Sequence, residues 1–209
     1  MNFRVLILLT LCSLVKCQGG QSCDEIKDFV DGHNDRRLQL AKGEVPKQPA
    51  AALMNSVIWD EALAAKAQNW ASEHESGHNP NRTDGLNRFF IGENIYTFST
   101  KDKTYKLDPK TALDYWFNEN KNYTYGPLRR KDFRSKMIGE YTQMVWSDSV
   151  YLGCGISSVT KDGLLRYYVV CYYGPVGNYI GETPYEKGSP SNKLTCAVGN
   201  CAKPYGGSC

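Results

Sequence analysis

Gly139-Glu140-Tyr141-Thr142-Gln143-Met144-Val145-Trp146 sets large aromatics, an amide, a hydroxyl and an acid side by side, and the rest of the chain is read outward from it. The stretch reads as a compact turn leading into a helix. A β-prone run follows, from Gly153-Cys154-Gly155 to Lys161, and a second goes from Leu164 to Tyr173. Asp162-Gly163 between them is a two-residue hairpin signal, because a tight turn of this kind needs residues that tolerate positive φ. Closing the hairpin on those two residues sets Cys154 opposite Cys171, at a non-hydrogen-bonded pair. There α-carbons lie about 4.5 Å apart, within disulfide reach. A Cys154–Cys171 bridge is therefore predicted, closing a loop worth roughly 3 kcal/mol.

The chain has 209 residues, 41% of them hydrophobic and 22% charged, which indicates a folded globular protein rather than a disordered one. Arg4, the apolar run Val5 to Leu11, and then Val15-Lys16-Cys17 read as a secretory leader cut after Cys17, so 1–17 is assigned to it. That run is too short to span a bilayer and no later one is longer, so export without a membrane span is expected. The leader carries Arg4 and Lys16 and no acid, so its removal lowers the formal charge from +3 to +1. A near-neutral chain makes no electrostatic case for nucleic acid. For the basic run Arg129-Arg130-Lys131-Asp132-Phe133-Arg134-Ser135-Lys136, a solvated loop is read ahead of a contact for sulfated glycans or anionic lipid. Of eight cysteines, Cys12 and Cys17 leave with the leader, and the remaining six imply three disulfides in an exported chain. Asn81-Arg82-Thr83 and Asn122-Tyr123-Thr124 are sequons, which makes Asn81 and Asn122 candidate glycosylation sites.

Ser22-Cys23-Asp24-Glu25 has the form of a capping box, and Ile26, Phe29, Val30, His33, Arg37 and Leu40 recur at helical spacing as far as Gly43. Residues 42–55, with Gly43, Pro46 and Pro49, read as a loop. Asp60 caps a second helix whose stripe of Leu63, Ala64, Ala67, Trp70 and Ala71 is small enough for close packing. Ile91-Gly92-Glu93-Asn94-Ile95-Tyr96 is a short β-prone run with an acid inside it. A carboxylate there is costly to bury without a partner, so Glu93 marks a site. Asp108-Pro109 opens a third helix through Trp116 and Asn120 towards Gly126-Pro127, with Glu119 beside Trp116 on its surface. After Gly181 the chain is rich in Pro, Gly, Ser and Asn and carries Cys196, Cys201 and Cys209. With Cys23 these allow three connectivities, of which Cys196 with Cys201 and Cys23 with Cys209 is preferred.

Taken together, these segments resemble the CAP superfamily, the secreted group that includes antigen 5 venom allergens, cysteine-rich secretory proteins and plant pathogenesis-related proteins. The central stretch is similar to the family's first signature, and Tyr168 to Tyr179 to its second. His33-Asn34-Asp35-Arg36-Arg37 is similar to the opening motif, Gly92-Glu93-Asn94 to another, and Glu119 to the helical glutamate. The resemblance implies an α/β fold, a three-layer α-β-α sandwich over 18–182, followed by a short disulfide-stapled extension over 183–209. Three positions depart from it. Glu140 stands where the family usually carries histidine, Tyr172 where asparagine is common, and His74 where many relatives have cysteine.

The resemblance further implies that His78, Glu93, Glu119 and Glu140 meet in one cleft. In relatives the four are two histidines and two glutamates, and the histidine pair can hold a divalent metal. Zinc favours nitrogen and sulfur ligands, so Glu140 shifts the expected metal site towards weaker binding and harder ions. The competing expectation is a hydrogen-bonded network that fixes the cleft. Without a cation, three carboxylates repel one another, so at least one pKa should rise or His78 should stay protonated as a counter-charge. For His33 a ring packed at a helix–sheet junction is expected. The chain has three histidines, no Gly-x-Ser-x-Gly elbow and no His-Glu-x-x-His helix, and its cysteines are committed to bridges, so no enzyme is expected. The resemblance implies instead a secreted, monomeric venom or salivary protein that binds a small lipid or sterol or a host protein. An ion-channel-modulating toxin and a metal-dependent hydrolase or protease are the alternatives. No later cysteine-rich module is read after the extension, which counts against the toxin.

Overall fold

Ser22 opens the first helix as its capping box requires: its Oγ accepts from Glu25 N at 3.3 Å, and Glu25 Oε2 accepts from Ser22 N at 2.8 Å. The structure, a computed structural model, describes residues 20–207 and Cys209, and the leader assigned to 1–17 lies outside them. Helix α1 spans Cys23–Ala41 and stops ahead of Gly43, which takes φ 74°. Strand β1 (Ile58–Trp59) leads into α2 (Glu61–Ser72), whose cap Asp60 accepts from Leu63 N at 2.9 Å. Strand β2 (Gly92–Thr100), helix α3 (Pro109–Asn118), a 3₁₀ turn (Glu119–Lys121), α4 (Arg130–Ser135) and α5 (Gly139–Met144) follow. Strands β3 (Tyr151–Lys161) and β4 (Leu164–Gly174) complete the order.

The four strands form one sheet in the order β1-β3-β4-β2, with β1 parallel to β3 and the other pairs antiparallel. Side chains alternate across a strand, and in β4 both faces are buried. Val169, Cys171 and Tyr173 pack with Phe29 and Trp116 from α1 and α3. Val170 and Tyr172 pack with Leu63, Ala67 and Ala71 from α2. A sheet covered by helices on both faces is the middle layer of an α-β-α sandwich, the expected class.

Asp162 and Gly163 take φ 53° and 74°, and the hairpin they close pairs Cys154 with Cys171, bridged across a Cα separation of 4.1 Å. Cys23 is bridged to Cys209 and Cys196 to Cys201. Gly153 and Gly155 flank Cys154 on the α2 face, where a Cβ would fall 2.1 Å from Ala64 N and 2.4 Å from the Gln68 backbone. Only a strand without side chains at these two places lets α2 lie this close.

A third core lies under the loops, where Leu40, Met54, Tyr141 and Trp146 enclose Tyr185, which is 1% exposed. Residues 183–207 are thereby docked rather than loose. Thr195 N donates to Met54 O at 2.8 Å, Ser56 N to Thr195 O at 2.9 Å, and Trp59 N to Pro204 O at 2.6 Å.

Three boundaries differ from the sequence reading. Strand β2 continues past Tyr96 to Thr100 because every residue from Gly92 on has a partner in β4, ending at Leu165. Helix α3 gives way at Glu119 to the 3₁₀ turn instead of continuing towards Gly126. The basic run read as a loop contains α4, because Asp132 accepts from Arg129 N at 3.1 Å and pairs with its guanidinium, closing the first turn. Among the described residues no helix is long and apolar enough to cross a membrane.

Candidate functional site

The central stretch forms α5, and both of its ends are clamped. At its start, Glu119 Oε2 accepts from Glu140 N at 2.9 Å and Tyr141 N at 3.1 Å, so a carboxylate satisfies amides that a first helical turn leaves open. Beneath it runs a buried chain of hydrogen bonds. His33 Nδ1 faces Phe29 O at 2.7 Å, and a carbonyl only accepts, so Nδ1 carries the proton. Nε2 then accepts from the Tyr173 hydroxyl at 2.9 Å, and that oxygen accepts from Asn94 Nδ2, which also donates to Glu140 O. Burial lowers the His33 pKa to about 3, so the ring stays neutral. At the far end of α5, Arg37 donates to Met144 O, Trp146 O, Ser147 O and Asn55 O. Asn34 exchanges two hydrogen bonds with Val57. The opening motif is thus a clamp on α5 and the loops beside it.

Gln143 ties the helix to the chain after β4. Its Oε1 accepts from Gly177 N at 3.0 Å and its Nε2 donates to Ser149 Oγ at 3.0 Å. The Thr142 hydroxyl donates to Asn178 Oδ1 at 2.6 Å, and Asn178 Nδ2 to Gly139 O at 2.8 Å.

Above these supports lies an open cleft of about 710 Å³, and His78, Glu93, Glu119 and Glu140 all line it. They stand as two pairs. In the first, the buried Glu93 carboxylate meets His78 Nδ1 at 2.5 Å and accepts from Asn79 N at 3.1 and 3.2 Å, with Arg82 Nη2 at 3.9 Å. This is the partner set that an acid inside a strand requires. In the second, burial, the charge of Glu119 and a hydrogen bond shared with it push the Glu140 pKa up to about 8, against a lowering contact from Ile95 N. Burial also raises Glu119, while the amides of Tyr141 and Glu140 pull it down. Burial and the neighbouring Glu119 charge thus favour the neutral form of Glu140, while the α5 amides favour the charged form of Glu119.

Among the described residues no group of three or more His, Cys, Asp or Glu side chains is placed to hold a metal ion. His78 Nδ1 is engaged by Glu93, and Glu119 Oε2 by backbone amides. With Glu140 in place of a histidine the cleft offers one nitrogen donor, His78, and its acids are hydrogen-bonded to that ring or to backbone amides.

The remaining walls escaped the sequence reading. Arg82, Tyr96, Tyr115, Lys136 and Asn178 line the cleft. Tyr115 precedes Glu119 by four residues, a spacing that shares a helix face and was a usable signal. Burial and the charges of Glu140 and Glu119 raise its pKa. Arg82 was read only as the middle of a sequon. Of the departures, Tyr172 accepts from Asn79 Nδ2 at 2.9 Å, and His74 hydrogen-bonds Ser157 Oγ at 3.0 Å against the Tyr168 ring.

Residues 30–173 match the sequence model of the CAP, or cysteine-rich secretory protein, family. The chain belongs to the CAP family. It is 34% identical over 179 residues to venom allergen 5.02 of Dolichovespula maculata, covering 83% of this chain and 81% of that protein. A crystal structure of NaASP2 with Zn²⁺ superposes with a TM-score of 0.71 at 30% identity, covering 84% of this chain and 92% of that one. The structure of BmVAL-1 gives 0.74 at 28% identity, over 90% and 94%. This CAP protein thus has antigen 5 relatives and the family's sandwich, with Glu140 at the centre of its cleft.

Proposed function

We propose that this CAP protein is secreted and acts by binding, and that it holds a small amphipathic lipid in the cleft beside α5. The observation that carries the reading is the lining of the cleft. Tyr96, Tyr115, Phe133 and Met137 offer apolar surface next to the Glu119–Glu140 pair, with Met137 58% exposed and Tyr115 44% exposed. Pockets that take small molecules combine apolar walls with a few oriented polar groups in this way. The polar groups here are engaged with one another or with the backbone, as in a preformed recognition site, and every cysteine among the described residues is bridged. Three disulfides and antigen 5 relatives support an oxidising, extracellular setting. Asn81 and Asn122 are exposed and are the proposed glycan acceptors. Asn81 Oδ1 already accepts from Thr83 N and Thr83 Oγ1.

The test is native mass spectrometry of the protein secreted from eukaryotic cells, after removal of glycans. A retained lipid mass, lost in a Tyr115→Ala/Met137→Ser variant that stays folded, is the expected result. Bare protein that also takes up no added fatty acid or sterol would overturn the lipid reading and direct the search to host proteins.

A further inference from the structure

We propose that the outer face of α4, continued by Lys136, is a binding site for a sulfated polysaccharide. The sequence offers five cations in eight residues, Arg129, Arg130, Lys131, Arg134 and Lys136, and the structure decides where they point. A helix turns by about 100° per residue, so Arg130, Lys131 and Arg134 fall within a single 100° arc while Asp132 and Phe133 face the other way. All five cations are exposed, Asp132 is buried, and Phe133 is half-buried and packed with the core under the loops. Asp132, the only acid of the run, is spent on Arg129: Oδ2 takes Nε at 3.0 Å and the backbone N at 3.1 Å, and Oδ1 takes Nη2 at 3.1 Å. None of Arg130, Lys131, Arg134 and Lys136 has an ion-pair partner among the described residues. Lys121 extends the patch, because its neighbour Asn122 donates to Met137 O at 3.1 Å and so lies against the end of the basic run. The backbone also brings in an exposed acid, Glu182, whose carbonyl accepts from Leu128 N on the Arg129 side.

The ligand class follows from three features. The chain as a whole carries a formal charge of only +3, so this is a local array and not a general basic surface. Arginine forks bind oxyanions through paired N–H groups, and side chains four residues apart stand about 5–6 Å apart, which suits charges repeated along a flexible polymer. The outer arc presents no apolar side chain, and α4 has only six residues, so it lacks the wedge by which an interfacial helix enters a bilayer. The inference leans on the extracellular reading only for where such a polymer is met, and its test is made in solution.

The experiment titrates a size-defined heparin oligosaccharide into the full secreted chain, deglycosylated, by calorimetry at several salt concentrations. Wild type should bind, with affinity falling as salt rises. In Arg130→Gln/Lys131→Gln/Arg134→Gln the dissociation constant should rise on the order of tenfold, and the salt slope should flatten by roughly one per cation removed. Lys101→Gln/Lys106→Gln/Lys161→Gln, with the same charge change at the hairpin end of the sheet, should keep wild-type affinity. Equal losses in the two variants, equal binding of the desulfated oligosaccharide, or capture by phosphatidylserine vesicles without heparin binding would each overturn the proposal. Unchanged thermal unfolding of both variants shows that the comparison is made between folded proteins.

Discussion

At Glu140 a single side chain sets the charge state of the cleft. Its pKa is raised to about 8 from an ordinary 4.5, so the folded protein keeps a proton that the unfolded chain releases. Stability from this source is complete below about pH 4.5 and is lost as pH rises through 8, at no more than about 1.4 kcal/mol per pH unit. His33 works in the opposite sense. Its pKa falls from 6.5 to about 3, so its contribution is complete above 6.5 and is lost as pH falls towards 3. The melting temperature of wild type should therefore peak in mildly acidic solution and decline to either side. Glu140→Gln removes the titrating proton, and should level the decline between about pH 6.5 and 8 while extending the acid limb up to about pH 6.5, where the two slopes cancel in wild type. Parallel wild-type and variant curves over pH 5 to 8 would rule out the raised Glu140 pKa. A second expectation is that Glu140→His raises zinc affinity, since it restores a nitrogen donor and removes one carboxylate from the cleft. Direct titration with zinc checks it, and equal affinities would place the cause elsewhere. The departure itself was legible in the sequence. So was a raised carboxyl pKa in the cleft; that it falls most heavily on Glu140 was not, because that depends on Ile95 N and Glu119, which only the fold brings to Glu140.

At the scale of elements, local chemistry was readable and long-range pairing was not. The Ser22 and Asp60 caps, the Asp162-Gly163 turn and the Cys154–Cys171 pair all follow from contacts within a few residues or across one hairpin. The end of β2 depends on β4, some seventy residues away, and the sequence reading stopped short of it. The glycines beside Cys154 were legible as strand residues, but their purpose appears only with α2 in place. Gly153→Ala would push a methyl group to within 2.1 Å of Ala64 N, against helix backbone that cannot rotate aside. Overpacking of this kind costs about 1–3 kcal/mol and more where the obstacle is rigid, so a loss of roughly 3 kcal/mol is expected in urea unfolding. Gly163→Ala, which meets nothing within 4 Å but sits at φ 74°, should cost less, about 1 kcal/mol. The reverse order would mean that α2 does not rest on β3 as described.

Across the whole molecule, the extension read from its composition as a tail is part of the body. Nothing in a Pro- and Gly-rich segment has a period, so Tyr185 could not be recognised as a core residue from sequence. The Cys23–Cys209 bridge spans 186 residues, and closing so long a loop restricts the unfolded chain by about 5 kcal/mol at most. The contacts that Tyr185, Thr195 and Pro204 make lie away from that bridge. Tyr185 fills its own core, and the hydrogen bonds of Thr195 and Pro204 lie within the loop and β1. The two contributions can therefore be separated. Cys23→Ser/Cys209→Ser should melt at a lower temperature yet keep the amides of Thr195 and Ser56 protected in hydrogen exchange. A chain ending at residue 182 should lose the Tyr185 core and fail to accumulate in folded form. If the truncated chain instead melts as wild type does, 183–209 is dispensable, and the third core must close without it.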